Sequence, residues 1–343
     1  MRQVCLIPVA TILVAAIFSA CSSAPVSPTP AASTTSLVTT TPTSSTATGR
    51  TVDALTGAPL PSVTVSLDDG VSATTGADGT FHLTASEAGP CSVTVSGQGV
   101  VQHETEIRMP AANTSLSLIP SHFDMATFDQ MMRSGGALHR WTTAPSLVII
   151  DAVLRFTAVS DSTFSALDER LTAGERASIA ADLGWGLSQV TGNTFATFAS
   201  VTVESPSPGA TVDLFSREDR IVVARFRGLS QGTGYWGYGR YALRGNDVVA
   251  GAIMLDRDFD AAHSPYMRSL RVHEMGHALG YCHVTGRQSF MNATAIYEPN
   301  DFDRDASRIA FQRPPGNQPP DRDPAGSRLG IRAGAITWGT ITP

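Results

Sequence analysis

The sequence predicts an α+β chain of two folded domains in series, a small all-β sandwich followed by a mixed sheet packed with helices. Three observations predict it. Residues 49–119 alternate apolar and polar side chains, with turn residues at short intervals, as half-buried strands do. From about residue 120, stretches of helical period carrying helix-start signals interleave with short, continuously apolar runs. Finally, 343 residues with 42% hydrophobic content suffice for about two cores and are too apolar for a disordered chain.

Charge narrows the function classes. Acidic residues outnumber basic ones 30 to 24, for a net charge of −6. Every basic residue is an arginine, and none form a block, so nucleic acid is not an expected partner. A single stretch is apolar enough to concern a membrane, which excludes a multi-span protein.

That stretch is N-terminal. Arg2 precedes an apolar run over 4–18, too short for a comfortable span, and small residues follow it. Phe18-Ser19-Ala20-Cys21 resembles a bacterial lipobox, with Phe where Leu is usual. The resemblance implies a signal peptide over 1–21, lipid on Cys21, and an exported protein anchored to a bacterial membrane, at the outer membrane and periplasm or the cell surface. Cleavage after Ala24 is the alternative, and it too means export. Residues 22–48 are nearly all Ser, Thr, Pro, Ala and Val and read as a flexible tether. Cys91 and Cys282 remain in the folded part, too few for a disulfide framework; they either pair or sit buried as small apolar residues.

In the sandwich, Val63, Val65 and Leu67 alternate with Thr64 and Ser66, and the pattern returns at Phe81/Leu83, Val93/Val95 and Leu116/Leu118. Asp68-Asp69-Gly70 and Ala77-Asp78-Gly79 mark turns. Gly49-Arg50-Thr51-Val52, Thr56-Gly57-x-Pro59-Leu60-x-x-Val63-x-Val65 and Thr75-x-x-Asp78-Gly79-x-Phe81 resemble the carboxypeptidase regulatory-like (transthyretin-like) domain. That resemblance implies a spacer or binding module without chemistry. His82 and His103 are expected to face solvent from its strands.

The second domain, 120–316, opens with Ser121-x-x-Asp124, a capping-box pattern, followed by Met125, Phe128 and Met132 at helical spacing and by Gly135-Gly136. The run 147–150 predicts a buried strand. Thr172-x-x-Glu175 caps a second helix with Ile179, Leu183, Leu187 and Val190 on one face and Gly192 as its stop. Runs 221–226 and 248–255 predict two more strands. Ser264-Pro265 predicts the start of a third helix, with Ser as cap and Pro in its first turn.

This helix carries His273-Glu274-Met275-Gly276-His277, then Gly280 and His283. Two histidines four apart lie on one helix face, one turn apart, which suits two ligands on one tetrahedral zinc. Glu274 is offset by about 100° and flanks the metal, where it can take a proton from an activated water. Gly280 can adopt the left-handed conformation that ends the helix, so His283 can return as a third nitrogen ligand. Three protein ligands leave a position for water, the mark of a catalytic site.

His273-Glu274-x-x-His277-x-x-Gly280-x-x-His283 matches the zinc-binding pattern of the metzincin metallopeptidases. Met291, eight residues past His283, resembles their Met-turn, with a spacing like that of the matrixin branch. Asn292-Ala293 departs from that branch, which carries Tyr and Pro after the Met. The inhibitory Cys stretch of matrixins is missing, and Cys91 is its sole candidate stand-in. The resemblance implies a five-stranded mixed sheet with helices, one catalytic Zn²⁺, Glu274 as general base, and hydrolysis of a protein or peptide substrate. It implies an endopeptidase whose substrate lies extended along an edge strand, expected at 248–255. The residues leave a second reading open: a membrane-tethered, non-catalytic binding protein, an adhesin or scaffold, with a metzincin fold that binds zinc.

Two acidic clusters, Asp256-x-Asp258-x-Asp260 with nearby His263 and Asp301-x-Asp303-x-Asp305, offer oxygen ligands for Ca²⁺, which matrixins often carry; the alternative is a solvated loop and a helix start. Residues 317–343 read as a Pro-rich tail, whose last apolar piece, 329–342, is either a strand packing back or a loose end. The sequence leaves the oligomeric state open.

Overall fold

A computed structural model describes residues 44–261, 264–326 and 336–338. The signal segment, Cys21 and nearly all of the tether lie outside the described residues, as does His263. The described residues all fall within one compact unit. No helix among the described residues is long and apolar enough to cross a membrane.

The N-terminal part is an all-β sandwich of seven strands: β1 (Ser45–Asp53), β2 (Thr64–Leu67), β3 (Ser72–Thr74), β4 (Thr80–Ala85), β5 (Gly89–Ser96), β6 (His103–Met109) and β7 (Ala111–Leu118). One sheet runs β4-β1-β7 and the other β3-β2-β5-β6. The alternation read from the sequence is the packing pattern. Val63, Val65, Leu67, Phe81, Leu83, Val93, Val95, Leu116 and Leu118 are all buried in the space between the sheets. Strand β1 begins at Ser45, so four residues expected in the tether belong to the sandwich. Ser45 and Ala47 are buried there, and a small-residue composition hides such a strand from hydropathy.

The second part holds helices α1 (Met125–Met132), α2 (Ala173–Gln189), α3 (Leu229–Thr233), α4 (Arg257–Ala261), α5 (Met267–Ala278) and α6 (Asp301–Phe311). Its strands are β8 (Ser146–Ile150), β9 (Ala152–Arg155), β10 (Thr163–Arg170), β11 (Val201–Glu204), β12 (Thr211–Asp213), β13 (Arg220–Arg227), β14 (Gly237–Arg244), β15 (Asp247–Asp256) and β16 (Ile336–Trp338). They form one sheet of nine strands rather than five, in the order β12-β10-β9-β13-β15-β14-β16, with β8 beside β13 and β11 beside β8. Strands β8, β13 and β15 are parallel, and β14 closes antiparallel on β15.

Both faces of this sheet are covered, which is why its central strands read as continuous apolar runs. Leu147, Ile149, Ile221, Val223, Ile253 and Leu255 pack with the helices, while Val148, Ile150, Val222, Ala224, Ala252 and Met254 pack against a second layer containing Phe164, Val212 and Leu229. The expectation that 248–255 is the edge strand is therefore corrected: β15 lies between β13 and β14, and β14 is flanked on its other side by the short β16 along residues 242–244. Helix α2 lies close against α5 because Gly186 has no side chain; a β-carbon there would sit 2.6 Å from Val272 Cγ2.

Two helix caps differ from expectation. The cap of α1 is Asp124, whose carboxylate accepts the Thr127 N–H at 3.1 Å, not Ser121. Helix α5 starts after Tyr266; Ser264 Oγ accepts the Tyr266 N–H at 3.2 Å, in the turn before the helix. The Thr172–Glu175 capping box of α2 forms as read.

The tail also differs from a loose end. His103, expected to face solvent, is buried against Asp321, with Nδ1 3.1 Å from a carboxylate oxygen. Asp321 also accepts two hydrogen bonds of 2.7 Å from Arg313 at the end of α6, and Arg313 donates to the Ser117 carbonyl of β7 at 2.8 Å. Residues 317–323 thus clamp the sandwich to the helical domain. Ala54 and Ile119, just past the ends of β1 and β7, pack in the cluster of α1, α2, α5 and α6, while the sandwich keeps its own core.

Candidate metal centre

Helix α5 is polar at many positions, yet the whole of its second half is buried. Arg271 and Asp260 explain how that burial is tolerated. The fully buried Arg271 guanidinium donates to Asp260 at 2.7 and 2.9 Å and to Asp182 of α2 at 2.6 Å, and Arg225 of β13 donates to Asp260 at 2.6 Å. Paired and fully hydrogen-bonded charges of this kind fix the helix against the sheet and α2.

Two residues further on, His273 and His277 present their rings on the same face of α5, with centroids 4.9 Å apart. Gly280 has φ +103°, in the left-handed region, and the chain turns there. The turn returns His283 to the pair. Its Nε2 lies 3.1 Å from His277 Nε2 and 3.3 Å from His273 Nε2. Among the described residues this is the one cluster of ligand-type side chains able to hold a metal ion.

The outward nitrogens are committed. His273 Nδ1–H donates to the Phe290 carbonyl at 2.6 Å, and His277 Nδ1–H donates to the Tyr281 carbonyl at 2.8 Å. In the neutral tautomers so fixed, the Nε2 atoms of both rings are acceptors aimed at a common point with His283. Burial drives the His273 pKa down to about 4 and that of His277 well below its ordinary value, so neither ring carries a proton there near neutrality. Three imidazole nitrogens within 4.8 Å of one another fit a cation, and the donor set suits zinc.

Glu274 is buried beside the triad. Strand β14 allows this through two glycines. A β-carbon on Gly237 would lie 2.5 Å from Glu274 Oε1, and one on Gly239 would lie 2.6 Å from His277 Cβ and collide with the Glu274 carbonyl. Burial pushes the Glu274 carboxyl up to about 8, with the Gly239 backbone N–H pulling in the opposite direction.

Met291 is fully buried under α5. Its sulfur packs at Gly276, where a β-carbon would collide with it and would lie 2.8 Å from Phe290. The turn is closed by Val284 N–H donating to the Met291 carbonyl at 2.8 Å and by Asn292 N–H donating to the Ser289 carbonyl at 3.1 Å. The five predicted residues (His273, Glu274, His277, His283 and Met291) are thus brought together.

The acidic clusters are engaged elsewhere. Asp256 accepts the N–H groups of Ser230, Asp258 and Phe259, at 2.9–3.1 Å. Asp260 is spent on two guanidiniums. Asp301 and Asp305 pair with Arg304 and Arg308. Asp303 sits in the capping box of α6 and accepts the Ser289 hydroxyl at 2.6 Å and the Phe290 N–H at 3.0 Å. Cys91 and Cys282 are both free, Cys91 on β5 and Cys282 beside α1, where its N–H donates to the Met131 carbonyl.

The triad and Glu274 form the floor of a cleft of about 620 Å³. One wall is the start of β14 with Tyr235 and Trp236; the other combines Tyr266 and Leu270 with the segment 292–297. Sequence reasoning missed β14 and its aromatic approach. The signal present was Gly237-x-Gly239 among aromatics, which reads as a loop until a helix is known to press on it.

Comparison with curated proteins finds no match to this chain. Among solved structures, the pilus 2b backbone protein of group B streptococcus is 14% identical over 23% of this chain and 42% of that one, with a TM-score of 0.20. This chain therefore spans less than half of that protein's length. The family model of the carboxypeptidase regulatory-like domain matches residues 46–118, the sandwich described above, and this is the part of the chain whose family likeness is shown.

Proposed function

We propose that the chain is an exported, zinc-dependent endopeptidase of metzincin type, held on a bacterial membrane by lipid on Cys21, with the sandwich fixed to its peptidase domain. The observation that carries this reading is the convergence of three imidazoles beside a buried carboxylate, in the lining of one cleft. A structural metal needs no such carboxylate and no cleft.

His273, His277 and His283 would hold the zinc, which supplies a Lewis acid that polarises the scissile carbonyl and acidifies water. Glu274 accepts a proton from the attacking water and passes it to the leaving amine. Strand β14 aligns the peptide. The Asp256 N–H bonds to the Trp236 carbonyl at 2.8 Å, so in the alternating antiparallel pattern Gly237, Gly239 and Tyr241 turn their backbone groups away from β15. Strand β16 pairs with residues 242–244, so its ladder stops short of the part of β14 that lies against Glu274. An extended peptide can add there as a further strand, with its scissile bond over Glu274.

The test is casein hydrolysis by the full chain, with zinc content measured on the same sample, beside Glu274→Ala and a chelated control. Near-stoichiometric zinc and cleavage lost in both controls is the expected result. Zinc bound without cleavage of casein or of a peptide library would replace this reading with the binding-protein one.

A further inference from the structure

The cleft has a composition unlike the rest of the surface. In a chain with 24 basic and 30 acidic residues, its lining contains no guanidinium and one carboxylate, that of Glu274 on the floor. Its rim is aromatic instead. Tyr235, Trp236 and Tyr266 stand 44%, 50% and 56% exposed, although most large apolar side chains among the described residues are buried. Large aromatic faces left in water at the mouth of one cleft are a feature of ligand contact rather than of folding.

Trp236 is also held in place before any ligand arrives. Its ring stacks on Phe259 of α4 at 4.4 Å between centroids, with 9° between planes. Its carbonyl is tied to Asp256, and Asp256 in turn caps the start of α4. One indole face is therefore covered and oriented, and the ring remains half exposed in the lining of the cleft. Such a platform loses little rotamer freedom on binding, so stacking against it is retained as affinity. Across the cleft, Tyr266 and Leu270 continue the apolar surface.

We infer that this aromatic clamp selects the substrate: an uncharged peptide segment carrying an aromatic side chain next to the scissile bond, stacked on Trp236. This deepens the peptidase reading and rests on it. A lysine or aspartate side chain at the same position would lose hydration between walls that offer it no opposite charge, since the one carboxylate, Glu274, is turned against Gly237. Trp236 is the specificity-determining residue; it takes no part in proton transfer.

The experiment uses the full chain and fluorogenic peptides that differ only at the residues flanking the cleaved bond. Peptides with Phe, Tyr or Trp should be cut at least tenfold more efficiently, in kcat/KM, than those with Lys or Asp. Trp236→Ala should reduce that preference about three- to tenfold, mainly through KM, and Trp236→Phe should keep most of it. Equal cleavage of charged and aromatic peptides, or an unchanged preference in Trp236→Ala, would overturn the inference. If no peptide is cut at all, the same peptides are titrated while tryptophan fluorescence is followed. Selective binding of aromatic peptides that is lost in Trp236→Ala sustains the clamp while the peptidase reading fails. Binding without selectivity, or none, overturns both.

Discussion

Asp303 and His273 are joined through a single residue: Phe290 gives its N–H to the Asp303 carboxylate at 3.0 Å and takes the His273 Nδ1–H on its carbonyl at 2.6 Å. The N-terminal capping box of α6 is therefore the buttress of the candidate metal centre. It fixes the ring orientation of one ligand and the turn that carries Met291.

Removing this buttress should affect stability and metal affinity together. Asp303→Ala leaves the Ser289 hydroxyl and the N–H groups of Phe290 and Asn300 unpaired in a buried place. The expected cost is about 2–4 kcal/mol of folding stability. Zinc affinity should fall about 10–100-fold, as is usual for partners that orient a metal-ligating histidine. Denaturant unfolding and competition with a zinc chelator measure the two effects.

Gly237→Ala should displace a carboxylate without moving a helix. The new methyl meets Oε1, Cγ and Cδ of Glu274, the end of a flexible side chain, whereas one at Gly239 would meet helix backbone. Zinc content should stay unchanged and kcat should fall by about 10²-fold, the size expected for a reacting group misplaced by about 1 Å. In a Glu274→Gln background the same change should cost nothing further. Kinetics of the four proteins in that cycle check it.

Asp260 holds two buried guanidiniums, those of Arg225 and Arg271. Asp260→Ala removes the carboxylate they share and leaves Arg271 to Asp182 and Arg225 to Glu175, and the expected loss is about 3 kcal/mol. Arg271 lies two residues before His273, so the residual folded protein should also bind zinc more weakly. Thermal unfolding with and without added zinc separates these outcomes.

Acid should loosen the clamp between the sandwich and the helical domain. Burial alone would raise the Asp321 carboxyl, but the Arg313 guanidinium and the His103 hydrogen bond outweigh it and hold the group well below the usual carboxylate range. A depressed folded-state pKa contributes stability that is complete above the unfolded value, about 4, and is lost as pH falls below it. Unfolding midpoints measured from pH 7 to pH 3 should drop at the acid end. Asp321→Asn should be less stable at pH 7 and should show a shallower acid decline.

Much of the site was legible because it is local. Residues four apart on a helix face one way whatever surrounds them, so His273 and His277 could be paired from spacing alone, and Gly280 announced the turn that returns His283. The sandwich was legible for the same kind of reason, since a period of two assigns Val63, Val65, Phe81 and Leu83 to one side without any knowledge of partners. The capping box at Thr172 and Glu175 is likewise a contact within one turn.

What tertiary structure alone decided is which distant segments meet. Periodicity says which face of a strand is buried and not which strand lies beside it; the run 248–255 is apolar on both faces because it is central, with β13 on one side and β14 on the other. Solvent exposure of His103 depended on a partner 218 residues away, supplied by a tail that composition marks as loose. Whether Asp256, Asp260 and Asp303 were free for a cation depended on the donors folded against them. The five residues of the candidate centre were written in a short stretch of sequence, whereas the cleft above them, its aromatic walls and its buttress exist only once β14, α4 and α6 have packed around that stretch, because burial and hydrogen-bond pairing belong to surfaces that the chain assembles from afar.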